Sequence, residues 1–406
     1  MALILLISKH LPVIWTREGI YAMRHHNSVM HGLLKHVPWS VFDKLVDGHG
    51  ADAGVRRLST RTQFVALLYA QLSGATSLRE IELAMTSHSS QLYHLGARQV
   101  SRSTLADANA LRPHQVFTGL FGEMAAQASR GFRRATGEAV RLIDSTGVRL
   151  AGMATEWAHF SKGVCGAKAH VIYDPDADRP LYLEITTAKV NDITAAKAMP
   201  IEPGATYVFD LGYYDYGWWA KLDAAGCRIV TRLKKNTPLA PVTELALPPG
   251  STLLYDRIGH LPERLTSTRN NPFQDPVREI GVTLEDGKTL RVVTNDLDAT
   301  AQEIADLYKR RWAVELFFRW VKQTLKINHF VGRSENAVRI QIAVALIAYL
   351  LLRLAQDACK IVESPLAFAR LVRASIMHRR DIDQLLKPPP KPPRDPRQLT
   401  LDLVAA

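Results

Sequence analysis

The sequence predicts an α/β protein in which an all-helical segment precedes an α/β layer architecture, and a small β insertion interrupts that layer. Three observations carry this. Apolar residues recur at helical spacing from about His26 to Arg134. At Ala139 the pattern changes to short branched runs alternating with helices. From residue 234 to 297 the chain breaks into β-like runs punctuated by Pro and Gly.

In the front segment, Val37-Pro38-Trp39 opens a helix with apolar residues at Val41, Phe42, Leu45 and Val46. Thr60 to Leu72 forms a second, ended by Ser73-Gly74. Ser77 to Met85 forms a third, with Ser77 as cap and Glu80 three residues on. Ser101 caps a short helix whose first turn exposes Arg102, Ser103 and Thr104. Such a turn suits a recognition helix that reaches bases and phosphates, and it equally describes an ordinary capped surface helix.

Ala139 to Ile143 is an apolar run ending in Asp144, with Ser145-Thr146-Gly147 expected as the turn after it. Gly166 to Tyr173 and Leu181 to Thr187 read as strands joined by the hairpin sequence Asp174 to Asp178. A helix is expected from Asp192 to Met199, then a strand from Ala205 to Phe209 that ends in Asp210. Tyr216 to Ala225 is helical and closed by Gly226, and Cys227 to Leu233 is a strand. Within the insertion, Ser251 to Tyr255, Arg278 to Leu284 and Thr289 to Thr294 are β-like, with Asp286-Gly287 as a hairpin turn. Helices resume at Thr300 and run, with one break near Gly332, to about Cys359. The expected division is a helical domain at 26–138, an α/β domain at 139–375 and a Pro-rich tail at 376–406. Met23 and Met30 are alternative starts, so residues 1–25 read as an extension ahead of the true start.

The 406 residues carry a formal charge of +12, which points to a polyanionic partner, nucleic acid first, though a merely lysine-rich protein shows the same balance. Cys165, Cys227 and Cys359 are single and far apart, which excludes a disulfide framework or a cysteine zinc site and fits a reducing compartment. The opening run Met1 to Ser8 lacks the basic start and cleavage site of a signal peptide. The apolar run Ile340 to Leu354 contains Gln341, ends at Arg353 and reads as a buried helix. A cytoplasmic protein with no membrane association is expected.

Asp144 and Asp210 each follow an apolar strand, where an open α/β sheet presents functional groups, although Asp also commonly begins an ordinary turn. The helix expected from Ala301 to Lys326 is more informative. Tyr308, Arg311, Glu315, Arg319, Lys322 and Lys326 fall within an arc of roughly 80° at helical periodicity. Leu307, Val314, Phe318, Val321 and Leu325 form an adjoining apolar stripe. One edge thus presents a carboxylate among cations and a phenol. This suits a metal site flanked by phosphate contacts, and it is also a pattern of (i, i+4) salt bridges.

Tyr308-x-x-Arg311-x-x-x-Glu315 with Lys322 seven residues on resembles the Y-R-E-K signature of bacterial insertion-sequence transposases of the DDE type, insertion-sequence family four. Leu142-Ile143-Asp144-Ser145-Thr146 is similar to that family's first-Asp motif, and Val208-Phe209-Asp210-Leu211-Gly212-Tyr213 to its second. The front portion, with HHNSVMHGLL and RRLSTRTQFVALLYAQLSG, is similar to the N-terminal domain of many members. The resemblance implies a ribonuclease-H-like catalytic core with a β insertion, preceded by an all-helical N-terminal domain. The chain departs in one respect. Some relatives stack a flipped base on a tryptophan of the insertion, where this chain has only Tyr255 and Phe273 as aromatics. Trp218 and Trp219 read as core or interface residues.

The resemblance also implies a DNA transposase that cleaves insertion-sequence ends and transfers strands into target DNA. Asp144, Asp210 and Glu315 would be both the catalytic residues and the ligands of two Mg²⁺ ions, for which Mn²⁺ can substitute. Tyr308, Arg311, Arg319, Lys322 and Lys326 would position phosphates, and Arg102, Ser103 and Thr104 would contact the ends. A nuclease of the same fold, or a non-catalytic DNA-binding regulator, remains an alternative. The implied partners are double-stranded DNA and a second copy of the chain in the DNA complex, at the bacterial nucleoid. In the tail, Gln398-Leu-Thr-Leu-Asp-Leu403 resembles the short peptide that docks on the replication sliding clamp; the alternative is a C-terminus without a partner.

Overall fold

Several helices of the front segment begin where hydroxyls cap them. The computed structural model describes residues 27–133, 139–150, 159–161, 164–266, 269–284, 287–325 and 330–385. Seven helices come first: α1 (Val29–Leu34), α2 (Trp39–Gly48), α3 (Thr60–Ser73), α4 (Leu78–Ser87), α5 (Ser89–Leu92), α6 (Arg102–Leu111) and α7 (Gln115–Arg133). Ser59, Ser77 and Ser101 accept from the backbone N–H three residues on, at 3.2, 3.2 and 3.3 Å. Each bond satisfies an otherwise orphaned N–H at the helix start. Gly74 ends α3 at φ 82°, a left-handed conformation that glycine adopts without a Cβ clash.

Branched runs then form a sheet: β1 (Val140–Arg149), β2 (His159–Ser161), β3 (Val164–Asp174), β4 (Arg179–Thr187), β5 (Thr206–Val208), β6 (Arg228–Arg232), β7 (Ala240–Glu244), β8 (Leu253–His260), β9 (Arg264–Thr266), β10 (Arg269–Asn270), β11 (Val277–Thr283) and β12 (Thr289–Thr294). Helices α8 (Asp192–Ala196) and α9 (Tyr216–Ala224) lie between strands, and α10 (Ala301–Arg310), α11 (Trp312–Thr324), α12 (Glu335–Ala358) and α13 (Pro365–Ser375) follow them. The main sheet runs β2-β3-β1-β5-β6-β12-β11-β8-β7, with β4 on the other edge of β3. β1, β5 and β6 are mutually parallel, and the remaining pairings are antiparallel.

Four local expectations are corrected. β1 does not stop at Asp144, because β3 supplies partners onward: Ser145, Thr146 and Gly147 pair with His170, Ala169 and Lys168. The β insertion expected to interrupt the layer instead extends its main sheet, since β12 pairs with the free edge of β6 and satisfies its backbone groups. Only β9 and β10 form a sheet of their own among the described residues. The helix expected from Ala301 to Lys326 breaks at Arg311, where the bonds Arg311 N–H to Tyr308 O and Val314 N–H to Arg311 O tighten the turn. The helix expected to reach Met199 ends at Ala196.

The longest helix, α12, is the one helix among the described residues long and apolar enough to cross a membrane, yet 83% of its apolar window is buried within the protein. It packs on α1, α3, α6, α7, α11, α13 and β4. One hydrophobic cluster therefore runs from Val29 through the sheet to Leu385, across the boundary expected at residue 138. A second cluster fills the opposite sheet face and includes Ile143, Phe209, Trp218 and Trp219. Both tryptophans are core residues.

Candidate active site

Strand register decides where the carboxylates meet. Leu142 on β1 is level with Val208 on β5, which is level with Val230 on β6. Two residues further along these parallel strands stand Asp144, Asp210 and Arg232. Neighbouring strands lie about 4.8 Å apart, so the three positions form a row at the carboxyl rim. Leu142, Val208 and Val230 all belong to the larger cluster, while Ile143 and Phe209 belong to the other. With side chains alternating along a strand, the row faces the same side as those three residues. On that side α10 packs against β6 and α11 against β1. The stripe Leu307, Val314, Phe318, Val321 and Leu325 is buried there, as its spacing requires.

Glu315 on α11 and Asp144 are joined by one cation. Arg311 places Nη2 2.6 Å from Glu315 Oε1 and Nη1 3.8 Å from Asp144 Oδ2. Asp144 Oδ1 also accepts from the Ser145 N–H at 2.7 Å, and Asp210 Oδ1 accepts from the Gly212 N–H at 2.8 Å. Burial pushes the Asp144 carboxyl up to about 6; the Ser145 N–H opposes this, Asp210 adds to it, Arg311 opposes it and Glu315 adds to it. Burial also raises the Tyr308 phenol, with Arg311 and Arg232 acting against the shift. Lys322 is pushed down by burial while Asp144 opposes that shift, so its ammonium also feels the site.

Among the described residues no three His, Cys, Asp or Glu side chains lie close enough to form a ready-made metal cage. The Arg311 guanidinium bridges Asp144 and Glu315. The expected (i, i+4) salt bridge of Arg311 and Glu315 is therefore present, and the same guanidinium reaches Asp144. The donor chemistry nevertheless fits a hard divalent cation: Asp210 and Glu315 both disfavour charge on Asp144, a carboxylate repulsion that Arg311 only partly offsets and that a cation would relieve.

The remaining candidates divide. Tyr308, Arg311 and Lys322 are brought to this site, whereas Arg319 is exposed on α11, with its guanidinium 5.8 Å from the Trp312 ring centre. Lys326 and the tail motif Gln398–Leu403 lie outside the described residues. Arg102, Ser103 and Thr104 are exposed on α6, where the Ser101 hydroxyl bonds those of Ser103 and Thr104 at 3.3 and 2.8 Å.

Sequence reasoning missed two features. Arg232 completes the row, and its buried Nε has no hydrogen-bond partner among the described residues. The second lies on the reverse face of β1. Asp192 Oδ1 accepts from Ser145 Oγ at 2.7 Å and from Lys168 Nζ at 3.1 Å, with His170 Nδ1 3.6 Å away. Its other oxygen and Asp210 Oδ1 both lie against Gly212, where a Cβ would stand 3.3 and 3.0 Å from them. Lys168 and His170 alternate on one strand face, the one signal the sequence offered. Their pairing opposite Gly147 and Ser145 depends on register.

Residues 135–351, more than half of the chain, match the family described as Transposase DDE domain, and residues 25–98 match a domain of unknown function, DUF4372. The putative transposase y4zB of Sinorhizobium fredii is 43% identical over 295 residues, covering 72% of this chain and 83% of that protein. A probable transposase for insertion sequence element IS5377 of Geobacillus stearothermophilus is 30% identical, covering 61% of this chain and 65% of that one. A looser likeness, with TM-score 0.47 and 11% identity over 90% of this chain and 83% of the other, is to a piggyBac transposase synaptic complex with hairpin DNA. The extent of the domain match and the identity to y4zB together show that the chain belongs to the DDE transposases, enzymes that use divalent metal ions to cleave DNA and transfer its strands.

Proposed function

We propose that Asp144, Asp210 and Glu315 are the metal-holding carboxylates of this transposase, in a core of ribonuclease-H-like type. The observation that supports this most is the parallel register, which sets Asp144 and Asp210 level on adjacent strands under the helix pair that carries Glu315. Two Mg²⁺ ions, with Mn²⁺ able to substitute, suit these hard oxygen donors. When bound, they supply Lewis acids for the attacking and leaving oxygens of phosphoryl transfer.

The chain's own residues prepare that site. Asp144 is held by the Ser145 N–H and Asp210 by the Gly212 N–H, so neither carboxylate is free to swing. Arg311 keeps Glu315 and Asp144 together in the metal-free protein, and turns its charge to a DNA phosphate when the carboxylates are otherwise neutralised. Tyr308, Lys322, Arg319 and Lys326 grip phosphates on either side. Arg102, Ser103 and Thr104 contact element ends. The working complex holds two copies on double-stranded DNA in the cytoplasm, at the nucleoid, and Gln398–Leu403 docks on the sliding clamp.

The test uses full-length protein and a plasmid carrying the DNA that flanks the gene. Asp144→Asn, Asp210→Asn and Glu315→Gln each remove cleavage and joined product, retain DNA binding and lose the thermal stabilisation that Mg²⁺ gives the wild type. Metal-dependent nicking by any one of them removes that residue from the site. Nicking by the wild type without joined product would instead mark a nuclease. A peptide of residues 397–406 should bind purified clamp more tightly than its Gln398→Ala, Leu401→Ala variant; equal binding discards the docking.

A further inference from the structure

The helical front carries a groove that the metal-site chemistry does not use. It has a volume of about 900 Å³ and lies between the loop from Asp52 to Ser59 and the segment from Ser89 to Gln99. Its walls bear Arg56, Arg57 and Arg98, all exposed, and beside them Tyr93, which is 86% exposed. None of the three arginines makes an ion pair or side-chain hydrogen bond among the described residues. The lone acid in the lining is Asp52. Its Oδ1 is already occupied by the backbone N–H and hydroxyl of Thr60, at 2.8 and 2.7 Å.

Other cations nearby are committed to the framework. Arg61 stacks on Trp39 at 3.9 Å from the ring centre, and Arg112 donates to Gln63 Oε1 at 3.1 Å and to the Leu58 carbonyl. These contacts fix the base of the Asp52–Ser59 loop and leave its two outer arginines to solvent. A second hollow of about 730 Å³ lies on the other side of the loop, lined again by Arg56 and Arg57 and by Thr104 of α6. The basic loop thus stands between the Tyr93 groove and the exposed first turn of α6.

We infer that this groove binds the sugar–phosphate backbone of duplex DNA, with Arg56, Arg57 and Arg98 on phosphates and Tyr93 packed on a deoxyribose. Unpaired guanidiniums around a concave surface are where a polyanion gains most, because no internal salt bridge must first be broken. An exposed phenol adds an apolar face that can pack on a deoxyribose whatever the sequence. This assigns a ligand to the segment that matches a domain of unknown function. It rests on the reading of the chain as a transposase acting on DNA, and adds a binding surface distinct from the carboxylate rim.

The experiment measures binding of the full chain to a short fluorescein-labelled duplex in EDTA, across a salt series, so that cleavage plays no part. Arg56→Gln, Arg57→Gln and Arg98→Gln combined should weaken binding more than about tenfold, and flatten the slope of log K against log salt by about 0.9 for each phosphate no longer neutralised. The matching triple Lys variant should keep the slope, since a lysine is also a phosphate partner. Tyr93→Ala should lower affinity with the slope unchanged. Thermal melting checks that each variant is folded. Wild-type affinity and slope in the Gln triple overturn the groove, as does failure of the Lys triple to restore the slope. Absence of cleavage and joining by the wild type would instead overturn the catalytic reading and leave the binding result standing.

Discussion

The carboxylate rim and the helical groove both gather charge, but they hold it by different means. At the rim, Asp144, Asp210 and Arg232 extend from or just past three hydrogen-bonded parallel strands, so a shift of one residue would turn all three to the wrong face. In the groove, Arg56 and Arg57 sit on one loop and Arg98 on the link before α6, and only the nearby Arg112 and Arg61 are held by framework contacts. If the rim carries the chemistry and the groove the DNA, as proposed, rigidity stands where atoms must be placed for bond making, and adaptable cations where a backbone of any sequence is to be gripped. Rim substitutions should therefore alter rate with little change in binding, and groove substitutions the reverse.

The largest expected effect sharpens that contrast. Asp144→Asn should reduce cleavage to background while the salt dependence of DNA binding is retained; parallel loss of both would merge the two regions functionally. Arg232→Ala should lower the cleavage rate about a hundredfold, as loss of one preorganised charge donor does, with Kd nearly unchanged. A rate within about twofold of wild type would leave its place in the row without consequence. Asp192→Asn should cost about tenfold or more, because its carboxylate holds Ser145 beside Asp144 from the reverse face. Its diagnostic readout is a shifted Mg²⁺ concentration for half-maximal activity, which a loss of packing alone would not produce.

A smaller effect concerns stability. The Asp144 carboxyl titrates at about 6 in the folded chain, above its ordinary value of 3.8. Between those values the folded state binds more protons than the unfolded one. Metal-free protein should therefore lose stability as pH rises through that window, by an amount on the order of 3 kcal/mol from this group. Asp144→Asn should flatten that slope and melt higher than wild type in EDTA near neutral pH. Unfolding with denaturant from pH 4 to pH 7 reads both. The smallest effect belongs to the helical front. Ser101→Ala removes the cap of α6 and should cost about 1 kcal/mol with the cleavage rate intact.

Local elements, and the chemistry they could carry, were legible along the chain. Ser59, Ser77 and Ser101 announced helix starts, Gly74 and Gly226 announced ends, and the buried stripe of α10 and α11 followed from its spacing, because these signals act within one or two turns of chain. Family membership was legible in motifs that lie within short stretches of chain. What lies far apart in sequence was settled only by packing. Pairing with β3 carried β1 past Asp144, the free edge of β6 drew the expected insertion into the main sheet, and α12 became the core of the front helices. Arg232 joined the row, and Asp192 reached Ser145, only through strand register and packing. Hydrogen-bond register and burial are satisfied between segments, so a pattern read along one segment specifies what it can bury without naming the partner that buries it.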